Sequence, residues 1–154
     1  MAQSHFLSLK DWSREEIELL FELSAAIKSN PEGYTNALAG KSLGMIFQKP
    51  STRTRVSFEV GMFQLGGQAL FLGSNDIQLH RGETIADTAR VLSRYVHGIM
   101  ARVFAHQDIL DLARHGSVPV INGLSDLLHP CQALADYFTL RERRGDLTGL
   151  RMAY

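Results

Sequence analysis

Residues 42–65, SLGMIFQKPSTRTRVSFEVGMFQL, decide how the fold is read. The apolar run at 42–48 has the length and content of a short buried strand, and Lys49-Pro50 reads as the loop that ends it. From Thr52 to Leu65 the apolar positions Val56, Phe58, Val60, Phe63 and Leu65 suit a helix, with Gly66-Gly67 as its stop. Strand, turn and helix in that order place Ser51 to Arg55 where a helix start leaves N–H groups unpaired and its dipole favours negative charge. That is an anion cradle. Ser51 and Thr52 add hydroxyl donors, and Arg53 adds a planar fork suited to phosphate. The same residues also read as a serine cap with arginines facing solvent. Arg55 has Glu59 four residues on, the spacing of an ordinary helical ion pair.

The flanking sequence repeats the alternation. Ser13 and Glu16 form a capping-box pattern ahead of Ile17, Leu19, Leu20, Leu23 and Ile27, a helix that ends near Asn30 because Pro31 disfavours helix before it. Strands are expected at 68–72, 98–104 and 118–123, and helices from Thr84 to about Tyr95, over 106–116, and from Pro130 to about Arg143. Four strands alternating with helices imply an α/β fold, a parallel four-stranded sheet with helices on both faces. Residues 1–148, including the last, linking helix, read as one unit. Residues 149–154 read as the opening strand of a second, truncated unit.

Composition bounds the function. With 45% hydrophobic and 21% charged residues, 154 residues suffice for one globular core. The 16 basic residues balance 16 acidic ones, so no global field recruits nucleic acid or an anionic membrane, and any anion site must be local. The single cysteine, Cys131, fits a reducing compartment, and no apolar run is long enough to span a bilayer; a cytoplasmic protein is expected. Gly40-Lys41-Ser42 resembles the tail of a nucleotide P-loop, but position 35 is Thr and the triplet precedes a strand instead of following one. No G-x-G-x-x-G, H-x-H or H-E-x-x-H occurs, so neither a dinucleotide nor a metal is expected.

A second constellation lies at LLHPCQALADYF, residues 127–138. His129 is placed as N-cap with Pro130 as first helical residue, and Gln132, three residues on, can face the same space. A histidine before proline also reads simply as a cap. Cys131 reads as a small packing residue. Arg102 falls near the end of a predicted strand, and in open parallel sheets ligands sit beyond the carboxyl ends of strands. Ser51, Arg102 and His129 thus follow three different strands at one edge.

Together FQKPSTRTRVSFE, QLHRGETIADTARVLSRY, ARVF, NGL and HPCQALAD, in order across residues 47–136, resemble the carbamoyl-phosphate half of the ornithine carbamoyltransferase family. The resemblance implies transfer of a carbamoyl group from carbamoyl phosphate to L-ornithine, giving L-citrulline and phosphate in arginine metabolism. It implies Ser51, Thr52, Arg53 and Thr54 around the phosphate, and Arg102, His129 and Gln132 around the carbamoyl group. Gln78 matches a position that, in the family's trimers, reaches a neighbouring subunit's site. No metal or organic cofactor is implied, and ornithine binding belongs to a second, ornithine-binding domain, so that residues 1–154 alone are not expected to complete turnover.

The chemistry suits those residues. Amine attack on the carbamoyl carbon makes a tetrahedral oxyanion, for which Thr54, Arg102 and His129 are donors. Gln132 supplies an acceptor for the carbamoyl NH₂. Two rivals stay open at this point: aspartate carbamoyltransferase, with the same chemistry and another nucleophile, and a non-catalytic phosphate-binding module.

Overall fold

The computed structural model describes residues 5–74, 77 and 82–153. Gln78, one of the expected substrate-binding residues, lies outside them.

Local sequence rules account for most element ends. Helix α1 (Arg14–Ser29) starts with the full capping box: Ser13 Oγ accepts from Glu16 N at 3.2 Å while Ser13 N donates to Glu16 Oε2 at 2.8 Å. Strand β1 (Ser42–Phe47) runs into helix α2 (Thr52–Gln64), which ends on Leu65. Gly66 then takes φ 82°, and a Cβ there would sit 2.4 Å from Thr35 O, so only glycine serves as the stop. Strand β2 (Gln68–Gly73) follows, then helix α3 (Ile85–Leu92), capped by Thr84. The expected extension of α3 to Tyr95 is a turn, in which Arg94 and Tyr95 N–H groups donate three residues back to Val91 and Leu92.

Strand β3 (Gly98–Arg102), helix α4 (His106–His115), strand β4 (Val120–Leu124) and helix α5 (Pro130–Arg144) complete the alternation. Residues 150–153, where a strand was expected to open, join no sheet. Phe6 adds a feature the sequence did not announce. It bridges to Ile121, its N–H donating to Val120 O and its carbonyl accepting from Asn122 N, each at 2.8 Å.

The sheet is parallel throughout, in the order β2-β1-β3-β4. Period-two alternation divides its side chains between two cores. Leu43, Met45, Phe47 and Met100 pack with Met62 of α2, whereas Ile46, Ile99, Ala101 and Val103 pack with Ala89 of α3 and Ile109 and Leu112 of α4. Helices therefore cover both faces. Helix α1 lies against α5 through Phe21–Phe138 stacking, the Arg141–Glu18 pair and the Lys28–Glu142 pair at 2.7 Å.

This strand order fixes where a ligand can go. The chain leaves β1 toward β2 on one side and later returns through β3 on the other, so the connections after β1 and β3 diverge at the carboxyl edge and open a crevice between them.

Candidate active site

Each arm of the site starts from that edge. After β1 the chain turns through Lys49-Pro50, and Ser51, extended at φ −163°, caps α2 by accepting from Thr54 N at 3.3 Å. Ser51 Oγ also donates to Thr54 Oγ1 at 3.0 Å. Two hydroxyls and the unpaired N–H groups of the first turn are thereby gathered at the positive end of the helix dipole. Arg53 projects beside them, and among the described residues no ion pair engages it. Arg55 is spent elsewhere: Nε binds Glu59 Oε1 at 3.0 Å and its guanidinium lies 3.7 Å from the centre of the Phe71 ring.

Arg102 ends β3, in register with Phe47 of β1 and Leu124 of β4. By alternation it shares a sheet face with Met100 and α2. The register on the β4 side slips here, from Ala101 opposite Asn122 to Arg102 opposite Leu124, which leaves Gly123 as the extra residue of a bulge. A Cβ at Gly123 would meet Met100 Sδ at 2.5 Å and Ala101 O at 3.2 Å, so the close approach of the strands requires glycine.

His129 and Gln132 come from the third arm. His129 is the N-cap of α5 by position but makes no side-chain cap bond, and Pro130 follows as the first helical residue. Gln132 Nε2 donates to Asp136 Oδ1 at 2.9 Å, a turn further along.

Ser51, Arg53, Thr54, Arg102, His129 and Gln132 line one cleft of about 460 Å³, so the three arms meet. Thr52 is the exception among the expected residues that the structure describes. It lines the adjoining depression with Arg55, Val56 and Phe71, because helical spacing sets 52, 55 and 56 on one side and 51, 54 and 58 on the other. Its N–H, at the first helical position, remains one of the donors of the cradle.

The cleft carries unspent donors. Arg102 Nε and His129 Nδ1 are both buried and make no hydrogen bond among the described residues. Buried polar atoms without partners are rare, and these two belong to side chains that line the same cleft. Burial first, and then the Arg102 guanidinium, push the His129 imidazole below its ordinary pKa, while Asp136 acts weakly in the opposite sense. His129 is therefore neutral at physiological pH and offers one N–H and one lone pair.

Cys131 lines the same cleft without chemistry to offer. Its thiol donates to Asn122 O at 3.4 Å, and burial pushes its pKa up to about 11. Among the described residues no three His, Cys, Asp or Glu side chains gather as a metal set. Two features escaped the sequence reading, the Gly123 bulge and the Asp136 anchor on Gln132. The four-residue spacing of the latter was a usable signal.

Comparison with known proteins gives the family. The family model described as aspartate/ornithine carbamoyltransferase, carbamoyl-P binding domain, matches residues 4–142. The chain is 60% identical to an ornithine carbamoyltransferase of Thermococcus kodakarensis, over 100% of its own length and 50% of that protein's. It is also 60% identical to one of Anoxybacillus flavithermus, over 97% of itself and 48% of the relative. The solved structure of ornithine carbamoyltransferase from Pyrococcus furiosus superposes with a TM-score of 0.90 at 58% identity, covering 94% of this chain and 47% of that one. The chain thus spans about half the length of the curated relatives it matches.

Proposed function

The chain belongs to the aspartate/ornithine carbamoyltransferase family as its carbamoyl-phosphate-binding domain, and from that premise we propose that it forms the carbamoyl-phosphate half of an ornithine carbamoyltransferase. The reaction is carbamoyl transfer from carbamoyl phosphate to L-ornithine, yielding L-citrulline and phosphate in arginine biosynthesis. The observation that carries the reading is that Arg102 and His129, whose Nε and Nδ1 find no partner among the described residues, line the same cleft as Ser51, Arg53 and Thr54 of the cradle.

In this reading the phosphate sits at the start of α2, held by Ser51, Arg53, Thr54 and the N–H groups of the first turn, Thr52 included. Arg102 and His129 flank the carbamoyl oxygen, with Thr54 as the third donor. As the amine attacks, negative charge grows on that oxygen, and donors already in place meet it without reorganising; losing one costs about 2.7–4 kcal/mol of barrier. Neutral His129 can donate there without placing a second full positive charge beside Arg102. The carbon–oxygen bond to phosphate then breaks and its electron pair leaves on a phosphate already neutralised by Arg53 and the helix dipole. With Gln132 Nε2 occupied by Asp136, Oε1 faces the carbamoyl NH₂ as acceptor.

The amino-acid substrate, the second domain, assembly into trimers, the reach of Gln78 into a neighbouring subunit and a cytoplasmic location all belong to this proposal. The relatives, ornithine carbamoyltransferases, favour ornithine over aspartate as the acceptor. Calorimetry of this chain with carbamoyl phosphate and with inorganic phosphate tests the cleft. Tighter binding of carbamoyl phosphate is expected, whereas equal affinities would leave only a phosphate-binding module. Parallel assays of the complete polypeptide with ornithine and aspartate test the acceptor.

A further inference from the structure

The three arms of the cleft are not independent loops. Gln48, at the end of β1, joins the first to the second: its N–H donates to Arg102 O at 2.9 Å, its Oε1 accepts from Phe104 N at 2.8 Å, and its Nε2 donates to Asp108 Oδ2 at 2.8 Å. Lys49 adds its ammonium 4.8 Å above the Phe104 ring. The backbone just beyond Arg102 is thus clasped by the residue three positions before Ser51.

The third arm is tied to the same place. Helix α4 has Ala105 at its N-cap and no side-chain cap of its own. Asp126, from the turn that leads to His129, supplies one from outside: its Oδ1 accepts from His106 N at 2.8 Å, and its own N–H donates to Phe104 O at 3.0 Å. Ser125, buried, closes the turn. Its Oγ lies 2.9 Å from His106 Nδ1 and accepts from Leu128 N at 3.1 Å, while its N–H donates to Leu128 O at 2.9 Å.

Phe104 is therefore clasped from both sides, its N–H by the Gln48 side chain and its carbonyl by the Asp126 backbone N–H, while the Asp126 side chain holds the next helix start. We propose that Gln48 and Asp126 are positioning residues that lock the phosphate cradle and the His129 arm onto the backbone following Arg102, so that the two halves of the ligand are gripped in fixed register. Neither side chain lines the cleft, so both act through others. This rests on the carbamoyl-phosphate reading for its ligand and on the geometry alone for the lock.

The test uses this chain with two probes, carbamoyl phosphate and inorganic phosphate, and follows the His129 ring by NMR titration, its signal assigned by its loss in His129→Gln. Asp126→Ala removes the side-chain tie of the third arm to the start of α4 and keeps its backbone bond to Phe104. It is expected to weaken carbamoyl phosphate about tenfold, the scale of one lost charged hydrogen bond, and to leave inorganic phosphate within about twofold. It also lets His129 move into water, away from Arg102, so its midpoint rises toward the ordinary imidazole value. Asp126→Asn keeps an oxygen acceptor without the charge and restores both readouts. Gln48→Ala loosens the cradle from Phe104 and Asp108, just beyond Arg102, and weakens both probes.

Ser125→Ala is the second route to the same arm, should Asp126→Ala fail to fold, and it moves both readouts in the same direction. Ser13→Ala, which removes the remote capping box of α1, lowers stability but shifts neither. Movement of either readout with rescue by asparagine supports the lock. An unchanged affinity ratio together with an unchanged His129 midpoint overturns it, as does failure of asparagine to rescue. If the unmodified chain does not prefer carbamoyl phosphate while the His129 midpoint still responds to Asp126→Ala, the ligand reading falls and the lock stands.

Discussion

Gln132 donates its side-chain amide to Asp136 at 2.9 Å, and in the proposed reading that bond turns the other end of the amide, Oε1, toward the ligand. With Nε2 held, Oε1 is left as an acceptor, the complement of a carbamoyl NH₂. Asp136→Ala frees the amide to rotate. Preference for carbamoyl phosphate over inorganic phosphate is expected to fall roughly fivefold, the scale of one neutral hydrogen bond. Because Asp136 also favours the protonated form of His129, the same substitution lowers the His129 pKa further. Calorimetry and NMR titration of one variant check both.

Arg53 and Arg55, two residues apart, are expected to fail in opposite ways. Arg53 faces the cleft with no ion pair among the described residues, so Arg53→Ala removes charge-assisted bonds to phosphate, about 1.5–3 kcal/mol, and leaves the melting temperature almost unchanged. Arg55 binds Glu59 and covers Phe71. Arg55→Ala is expected to cost about 1 kcal/mol of stability and no phosphate affinity. Paired thermal melts and phosphate titrations separate them.

The depressed pKa of His129 sets a direction for stability against pH. Unfolded, the imidazole takes up its proton near 6.5; folded, burial beside Arg102 delays that uptake. Between the lowered folded value and 6.5 the unfolded state binds more protons, so stability is fully present above 6.5 and is lost as pH falls through that window. His129→Gln removes this contribution. Comparing urea midpoints at about pH 7.5 and about pH 5.5, the drop is expected to be smaller in the variant.

Cys131 is expected to be inert. A buried thiol with a pKa near 11 holds almost no thiolate at neutral pH, and thiolate is the reactive form. Iodoacetamide should leave the native chain unmodified at about pH 7.5 and alkylate it once unfolded in urea, a contrast that mass spectrometry reads directly.

What the sequence made legible was what local rules govern. The Ser13–Glu16 capping box, the strand–turn–helix at 42–65 and the Gly66 stop depend on residues within a few positions of one another, and all three hold. The convergence of Ser51, Arg102 and His129 was legible because a parallel sheet sends every strand end to the same edge. Thr52 shows a periodicity left unapplied: 51, 54 and 58 line the cleft, whereas 52, 55 and 56 line the adjoining depression. The Phe6 bridge and the cap that Asp126 lends to α4 were out of reach, since each pairs segments that only the tertiary fold brings together.

Gly123 joins the sheet to the chemistry, and its substitution is the sharpest test of that link. The bulge it makes moves β4 by one residue beside Arg102, and Leu124, not Gly123, ends opposite the arginine. In Gly123→Ala the added Cβ would lie 2.5 Å from Met100 Sδ and 3.2 Å from Ala101 O. Met100 is fully buried, so its sulfur cannot swing into solvent, and the backbone of β3 resists on the other side. Relief must come from separation of β3 and β4, at about 1–3 kcal/mol of overpacking strain. That movement shifts Arg102 relative to His129 on the far side of the bulge. Stability and carbamoyl-phosphate affinity are therefore expected to fall together, whereas Arg55→Ala lowers stability alone; a Gly123→Ala chain with full affinity would show that the bulge serves packing and not the site.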